Sequence, residues 1–338
     1  MKQKVLDIAS IAGVSSATVS NALNGRKGVS EKTKQKIWKI ARDIGYSREP
    51  ANSSFQKAIR LVVFKRHGYV VSDTPFFASV IEGMERECRL LGYEMLVSHV
   101  NTKEAGQNTV DSANFAGSSG ILLLATEMGP GDLQQFRNSG IPVVLLDSNF
   151  REQDFDSVLS NSVDAAYKAT AYLAENGHTR IGHLRSSIPI NNFTDRRRGH
   201  LQALEDHGLD GDPGFEILLE PTVEGSHRDM KKALERPGRC LPTAFFADND
   251  IIAFGAMRAL KEKGIRIPSD ISIIGFDDMP FCEVTSPRLT TIKVFKQEMG
   301  SAAVKRLKQL LETQNHVRQK IELGTELVIR DSVVNISK

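Results

Sequence analysis

An all-α three-helix module followed by a larger α/β body, made of two doubly wound parallel-sheet lobes, is the architecture this sequence predicts. Three observations lead there. The first 46 residues carry three short amphipathic patterns separated by glycine-containing turns. From residue 59 onward, short apolar runs alternate with helical patterns, the signature of parallel strands joined by crossover helices. The 338 residues are also too many for one ordinary core.

In the first pattern Val5, Ile8, Ala9 and Ala12 share a helical stripe that Gly13 ends. Val14 follows as a core anchor. Ser15 is placed to cap a second helix with Ala17, Val19, Ala22 and Leu23 on its apolar stripe, and Asn24-Gly25 ends that helix. Ser30, with Val29 as a staple partner, caps a third helix carrying Ile37, Trp38, Ile40, Ala41 and Ile44 up to Gly45. A helix, a tight turn and a second short helix make a helix-turn-helix. The second helix is polar on its other side: Ser16, Thr18, Ser20 and Asn21 can hydrogen-bond base edges, and Ala17 offers a methyl contact. Arg26, Lys27, Lys32, Lys34, Lys36 and Lys39 would hold phosphates without reading sequence. The other reading of this module is a three-helix bundle that docks on protein.

Charge favours the nucleic-acid reading. Residues 1–60 hold twelve Lys or Arg against four Asp or Glu, a balance of +8, whereas the remainder holds 32 against 37, a balance of −5. A basic end on a mildly acidic body is the footprint of a module that neutralises phosphates.

In the body, the runs Ile59 to Phe64, Glu94 to Val100, Gly120 to Leu124, Pro142 to Asp147, Ile181 to Leu184, Ala244 to Ala247 and Ile271 to Gly275 read as strands. Phe77 to Leu91, Val163 to Asn176, Arg196 to His207, Ile251 to Lys263 and Gln297 to Glu312 read as helices. So many strands demand two lobes, with a ligand at the C-terminal strand ends between them.

Several classes of function are set aside. No stretch approaches the ~20 apolar residues that would span a bilayer, and no apolar run follows the N-terminal lysines, so a cytoplasmic, non-membrane protein is expected. Cys88, Cys240 and Cys282 have neither metal-ligand nor disulfide spacing. The histidines are scattered and no nucleophile elbow or phosphate loop occurs, so no catalytic residue, metal or cofactor is expected. A solute-binding protein of an importer could share the body, but it would need an export signal and no headpiece.

The run Ile8 to Gly25, followed by Val29-Ser30 and Gly45-Tyr46, closely resembles the headpiece of the LacI/GalR family of bacterial regulators, usually A-G-V-S-x-x-T-V-S-R-x-L-N-G. Asn21 replaces the usual Arg, and Lys4 stands where the family often has a Thr cap. The body resembles the family's sensor domain, of type I periplasmic-binding-protein fold, through Pro75-Phe76-Phe77, Gly83, Gly92-Tyr93, Gly177 to Gly182, Arg196 to Gly199, Asn249-Asp250, Gly275 to Asp278 and Pro287 to Thr291. The resemblance implies a headpiece over 1–46, a hinge over 47–58 and an effector-binding and dimerisation domain over 59–331. Its N-lobe would take about 59–158 and 290–320, and its C-lobe about 159–288 and 321–331.

In function, the resemblance implies a homodimeric repressor of carbohydrate-utilisation genes on a pseudo-palindromic double-stranded operator, controlled by a sugar or sugar-derivative effector. Its DNA-binding residues would be Ser15, Ser16, Ala17, Thr18, Ser20, Asn21, Asn24, Arg26 and Lys27. In the hinge, Phe55 is placed either to wedge into the minor groove or to pack within the dimer. The effector residues would be Phe76, Phe77, Asp147, Arg196, Asn249 and Asp277, a set suited to a ring bearing hydroxyls. The loop Phe64 to Phe77 is longer and more cationic than the family's; Lys65 or Arg66 would meet an anionic effector, or else the loop is a solvated turn. Ile81, Met84 and Leu90 with the Ile251 to Leu260 region are expected at the dimer interface.

Overall fold

A computed structural model describes residues 2–23, 29–43, 57–71, 75–101, 115, 117–151, 153–238, 240–313 and 317–337. The chain forms two compact units, Met1–Gln56 and Lys57–Lys338.

The first unit holds helices α1 (Lys2–Ala12), α2 (Ser16–Leu23) and α3 (Glu31–Asp43). Its core gathers Ile8, Ala9, Ala12, Val19, Ala22, Leu23, Ile37 and Ala41. Gly13, at φ +69°, ends α1 in a left-handed turn, and the Val14 amide reaches back to the Ala9 carbonyl at 3.1 Å. The Ser15 and Ser30 hydroxyls accept from the Thr18 and Thr33 amides at 3.1 and 3.2 Å, so both caps lie where the sequence put them. Lys36 is tied differently: its ammonium donates to the Ala12 carbonyl at 3.0 Å, neutralising the C-terminal end of α1. Ala17 is exposed rather than part of the core.

The second unit contains two six-stranded sheets. The first runs β2 (Tyr93–Asn101), β1 (Lys57–Lys65), β3 (Ser118–Leu124), β4 (Val143–Leu146), β5 (Asp156–Ser160) and β11 (Lys320–Leu323), all parallel. The second runs β7 (Glu216–Leu219), β6 (Ile181–Ser186), β8 (Ala244–Ala247), β9 (Ser272–Asp277), β10 (Thr290–Val294) and β12 (Thr325–Val328), parallel except for β12 against β10. The central strands are buried on both faces, which is why they read as continuous apolar runs. Helix α4 (Pro75–Leu90) lies against α10 (Lys296–Glu312), and glycines meet backbone at both sides of the crossing: a Cβ on Gly83 would strike Gln297, and one on Gly300 would strike Val80.

The lobe limits differ from expectation. Thr290–Val294 pairs with β9 in the second sheet, and Lys320–Leu323 pairs with β5 in the first. The chain therefore changes lobes after Ser160, after Val294 and after Leu323. Strand character is local, whereas a parallel partner is chosen by the tertiary fold, so periodicity located these segments without saying which sheet they join. Five strands escaped the pattern: β5, β7, β10, β11 and β12, each only four or five residues long.

Candidate ligand site and nucleic-acid face

At the C-terminal ends of the strands the two lobes enclose a cavity lined by Val70, Phe76, Phe77, Thr126 and Asp147 from one side and Ile190, Asn192, Phe193, Arg196, Asn249, Ile251, Asp277 and Met279 from the other. Six of the eight expected effector residues meet here. Phe76 and Phe77 open α4 and sit edge to face, with ring centres 5.0 Å apart. Asp147 directly follows β4 with φ +59°, and Asp277 ends β9 with φ +111°; these non-glycine residues in left-handed conformations mark a strained backbone at one site.

Arg196 organises the second lobe's wall. It projects from α7 (Asn191–Asp206), is 4% exposed and lies flat over Phe276, 3.6 Å from the ring centre. One terminal nitrogen donates to the Asp248 carbonyl and the other lies 3.5 Å from the Asp277 carboxylate. Two buried atoms of this pair, Arg196 Nε and Asp277 Oδ1, have no hydrogen-bond partner among the described residues. Oδ1 is the oxygen that faces the Arg196 terminal nitrogen, beyond hydrogen-bond length, and a buried donor such as Nε without a partner is costly unless something meets it. Asn249 caps α9 (Asp250–Glu262), its Oδ1 accepting from the Ile252 amide at 2.9 Å, which leaves its amide nitrogen as a donor for a ligand. Across the cavity Asp147 accepts from Thr126 at 2.7 Å and from Asn192 at 3.1 Å. Burial pushes Asp147 up to about 6, with the Thr126 hydroxyl and the Arg196 charge pulling the other way. Burial also raises Asp277, against the Arg196 and Lys296 charges.

Lys65 and Arg66 do not reach this cavity. The Arg66 guanidinium is ion-paired with Asp132, and the loop turns its backbone amides inward toward Glu127, so that Val70 is its cavity-lining residue. The sequence placed two cations near a strand end correctly but could not show which way the loop faces.

Thr126, Asn192 and Phe193 were missed. Asn192 and Phe193 stand four and three residues before Arg196, one helical turn away, so helical spacing from the arginine would have found them. Thr126 follows the buried run of β3, where the strand-end rule points.

Behind the cavity Asp250 is wholly buried. It accepts from Thr291 at 2.6 Å, from the Met279 amide at 2.8 Å and from the Cys282 thiol at 3.2 Å. Burial, with the nearby Asp277 charge, pushes its carboxyl up to about 7 from the usual 3.8. A folded-state pKa above the unfolded one means stability that is full in acid and is lost as pH rises through about 7. Between pH 5 and 8 the stability of the wild-type protein relative to Asp250→Asn should therefore fall by about 3 kcal/mol, because the amide cannot ionise. Denaturant melts at the two pH values measure this, and parallel slopes would mean that Asp250 is ionised throughout.

In the first unit, Ser15, Ser16 and Ala17 are exposed and Thr18, Ser20 and Asn21 half-buried, on the side of α2 away from Val19, Ala22 and Leu23. A short polar helix face of this kind is what a major groove admits. Asn24, Arg26, Lys27 and Phe55 lie outside the described residues.

Comparison with known proteins agrees with both halves. Residues 4–49 match the family described as bacterial regulatory proteins, lacI family, and residues 170–333 match a periplasmic binding protein-like domain. The HTH-type transcriptional repressor PurR of Actinobacillus pleuropneumoniae is 32% identical over 99% of both chains, and that of Pasteurella multocida is 32% identical over 97% of this chain and 98% of its own. Among solved structures, the lac repressor dimer bound to operator and the anti-inducer ONPF superposes with a TM-score of 0.72 at 24% identity, covering 97% of this chain and 98% of that one. The complex of the transcriptional regulator CelR with cellobiose gives 0.73 at 24% identity, covering 96% and 98%. These relatives are regulators rather than enzymes, and the likeness runs through headpiece and body alike, so the chain belongs to the lacI family of bacterial regulatory proteins and is a DNA-binding transcriptional repressor.

Proposed function

We propose that this repressor is a homodimer on a two-fold symmetric operator, and that a neutral, polyhydroxylated ligand of sugar size, held between the lobes, sets its operator affinity. The observation that carries the reading is that one cavity wall brings together Arg196, whose buried Nε has no hydrogen-bond partner among the described residues, and the Asp277 carboxylate. One hydroxyl can accept from the first and donate to the second, and a neighbouring hydroxyl can donate to Asp147. Phe76 and Phe77 supply aromatic faces for the apolar side of a ring. The carboxylates of Asp147 and Asp277 offset the Arg196 guanidinium and the Lys296 ammonium beside Phe76 and Asp277, so a sugar phosphate or sugar acid would meet no excess of positive charge. That argues against the anionic effector that Lys65 and Arg66 suggested.

The dimer would use the second lobe's apolar surface, where Phe281 and Val284 are 54% and 76% exposed and Phe254 stacks edge-on to Phe281. Met84, expected at an interface, is 0% exposed and belongs to the core instead. Because β1 begins at Lys57, directly after the first unit, lobe closure acts on the segment that joins the headpieces; a coupling of about 1–3 kcal/mol is enough to change operator occupancy.

The test is a thermal-shift panel of neutral sugars, their phosphates and nucleobases, followed by operator binding with each hit. A neutral sugar at about 100 times its dissociation constant should add about 2.7 kcal/mol, a shift of several degrees. It should also change operator affinity about tenfold or more, with two chains bound per operator. Stabilisation by phosphorylated sugars alone, or by nucleobases alone, would overturn the reading.

A further inference from the structure

Glu127 follows β3 and is buried, yet its carboxylate accepts five backbone N–H groups from one short loop. Oε2 takes those of Arg66, His67 and Gly68 at 2.8, 3.0 and 2.9 Å, and Oε1 takes those of Val70 and Val71, each at 3.0 Å. Gly68, at φ +75°, lets the chain curl so that successive amides converge on one point, as in an anion nest. Burial alone would raise the carboxyl; the bonds from His67 and from the amides of Gly68, Val71 and Val70 carry it well below the usual carboxylate range. The anion in this nest is therefore built into the protein.

The loop so held borders the cavity through Val70. Val70 leaves it to form a separate small apolar cluster with Ile190 and Phe193, which stand at the start of α7 in the other lobe. All three side chains line the cavity, so the contact lies between the lobes at the ligand's edge.

We propose that Glu127 is a positioning residue that holds the 66–71 loop across the cleft, so that Val70 closes on Ile190 and Phe193 and clasps the two lobes together. The clasp's bearing on ligand retention rests on the cleft being the effector site; the clasp itself is made by the chain's own side chains. It makes closure a property of the loop as well as of the ligand.

Amide hydrogen exchange on the full-length, ligand-free protein tests this. Glu127→Gln keeps the shape, but both oxygens of the native carboxylate accept amides, so either orientation of the new side chain turns its NH2 against at least two N–H donors. The amides of the 66–71 loop should then exchange at least about tenfold faster. The opening turn of α7, where the Thr194 amide bonds the Ile190 carbonyl at 3.2 Å, should also exchange about threefold faster or more, although it touches no part of Glu127. Val70→Ala should reproduce the α7 effect while leaving the Glu127-bound amides protected. Acceleration confined to the loop would reduce Glu127 to local structure and overturn the clasp, as would no acceleration at all. Titration of the wild type with D-ribose and cellobiose runs beside it: absence of binding counts against the effector reading and leaves the exchange result to decide the clasp.

Discussion

Arg196→Ala should yield a repressor that still occupies its operator but no longer answers any ligand. The guanidinium is held from three directions, by the Phe276 ring, the Asp248 carbonyl and the Asp277 carboxylate, so it is already arranged before a ligand arrives. Truncating one partner of a buried charge pair at a binding site costs about 2–5 kcal/mol, which is a loss of roughly 30- to several-thousand-fold in affinity. The body should also lose about 3 kcal/mol of stability, because Asp277 is left buried without its counter-charge. Arg196→Lys separates the two effects. It keeps a positive charge for Asp277 but loses the planar group over Phe276 and the Nε donor, so stability should recover in part while ligand affinity stays low. Calorimetric titration with the ligand identified by the panel, beside operator anisotropy, reads both; wild-type affinity in Arg196→Lys would mean that the guanidinium does not touch the ligand.

The same residue shows what the sequence could and could not convey. Arg196, Asp147, Asn249 and Asp277 were legible through the resemblance to the family's sensor domain, and the cavity they line lies where the strand-end rule puts a ligand. The small helical unit was legible for a related reason: Ile8, Val19 and Ile37 fall on stripes set by helical period, and Ser15 and Ser30 cap through contacts only three residues long. The features that stayed hidden depend on partners far away in the chain. Arg66 looked like a ligand contact until Asp132, 66 positions on, proved to hold it, and the loop's direction is set by Glu127, about 60 positions from the amides it binds. Met84 could be placed on a helix but not on a side of it, since α4 has apolar residues facing both the core and, at Leu90, the surface. Local rules thus located the longer elements and the resemblance located the cavity residues, while the short strands, their pairing and the loop's facing came from tertiary contacts.

Val19→Asp should abolish operator capture and leave the body's melting and ligand binding as they were. Val19 is fully buried among apolar side chains of the small unit, with Ile8, Ala22 and Ile37 in the same cluster, so a carboxylate there is surrounded by hydrocarbon. Placing an unpaired polar group in such a core costs several kcal/mol, more than a module of this size has in reserve. The second unit keeps its own cores and should melt unchanged. Loss of binding in this variant alone could not separate unfolding from a lost contact, and Ala17→Glu supplies the distinction. Ala17 is exposed on the same helix, so the unit should keep its helical circular dichroism while a new negative charge faces the phosphates. If α2 lies in the groove, both variants lose operator affinity and only Val19→Asp loses headpiece structure. The wild type should weaken by about 10³-fold or more between 50 and 200 mM salt, as expected for a module making ~6–10 phosphate contacts. An Ala17→Glu protein that binds the operator as the wild type does would place the recognition surface elsewhere on the first unit.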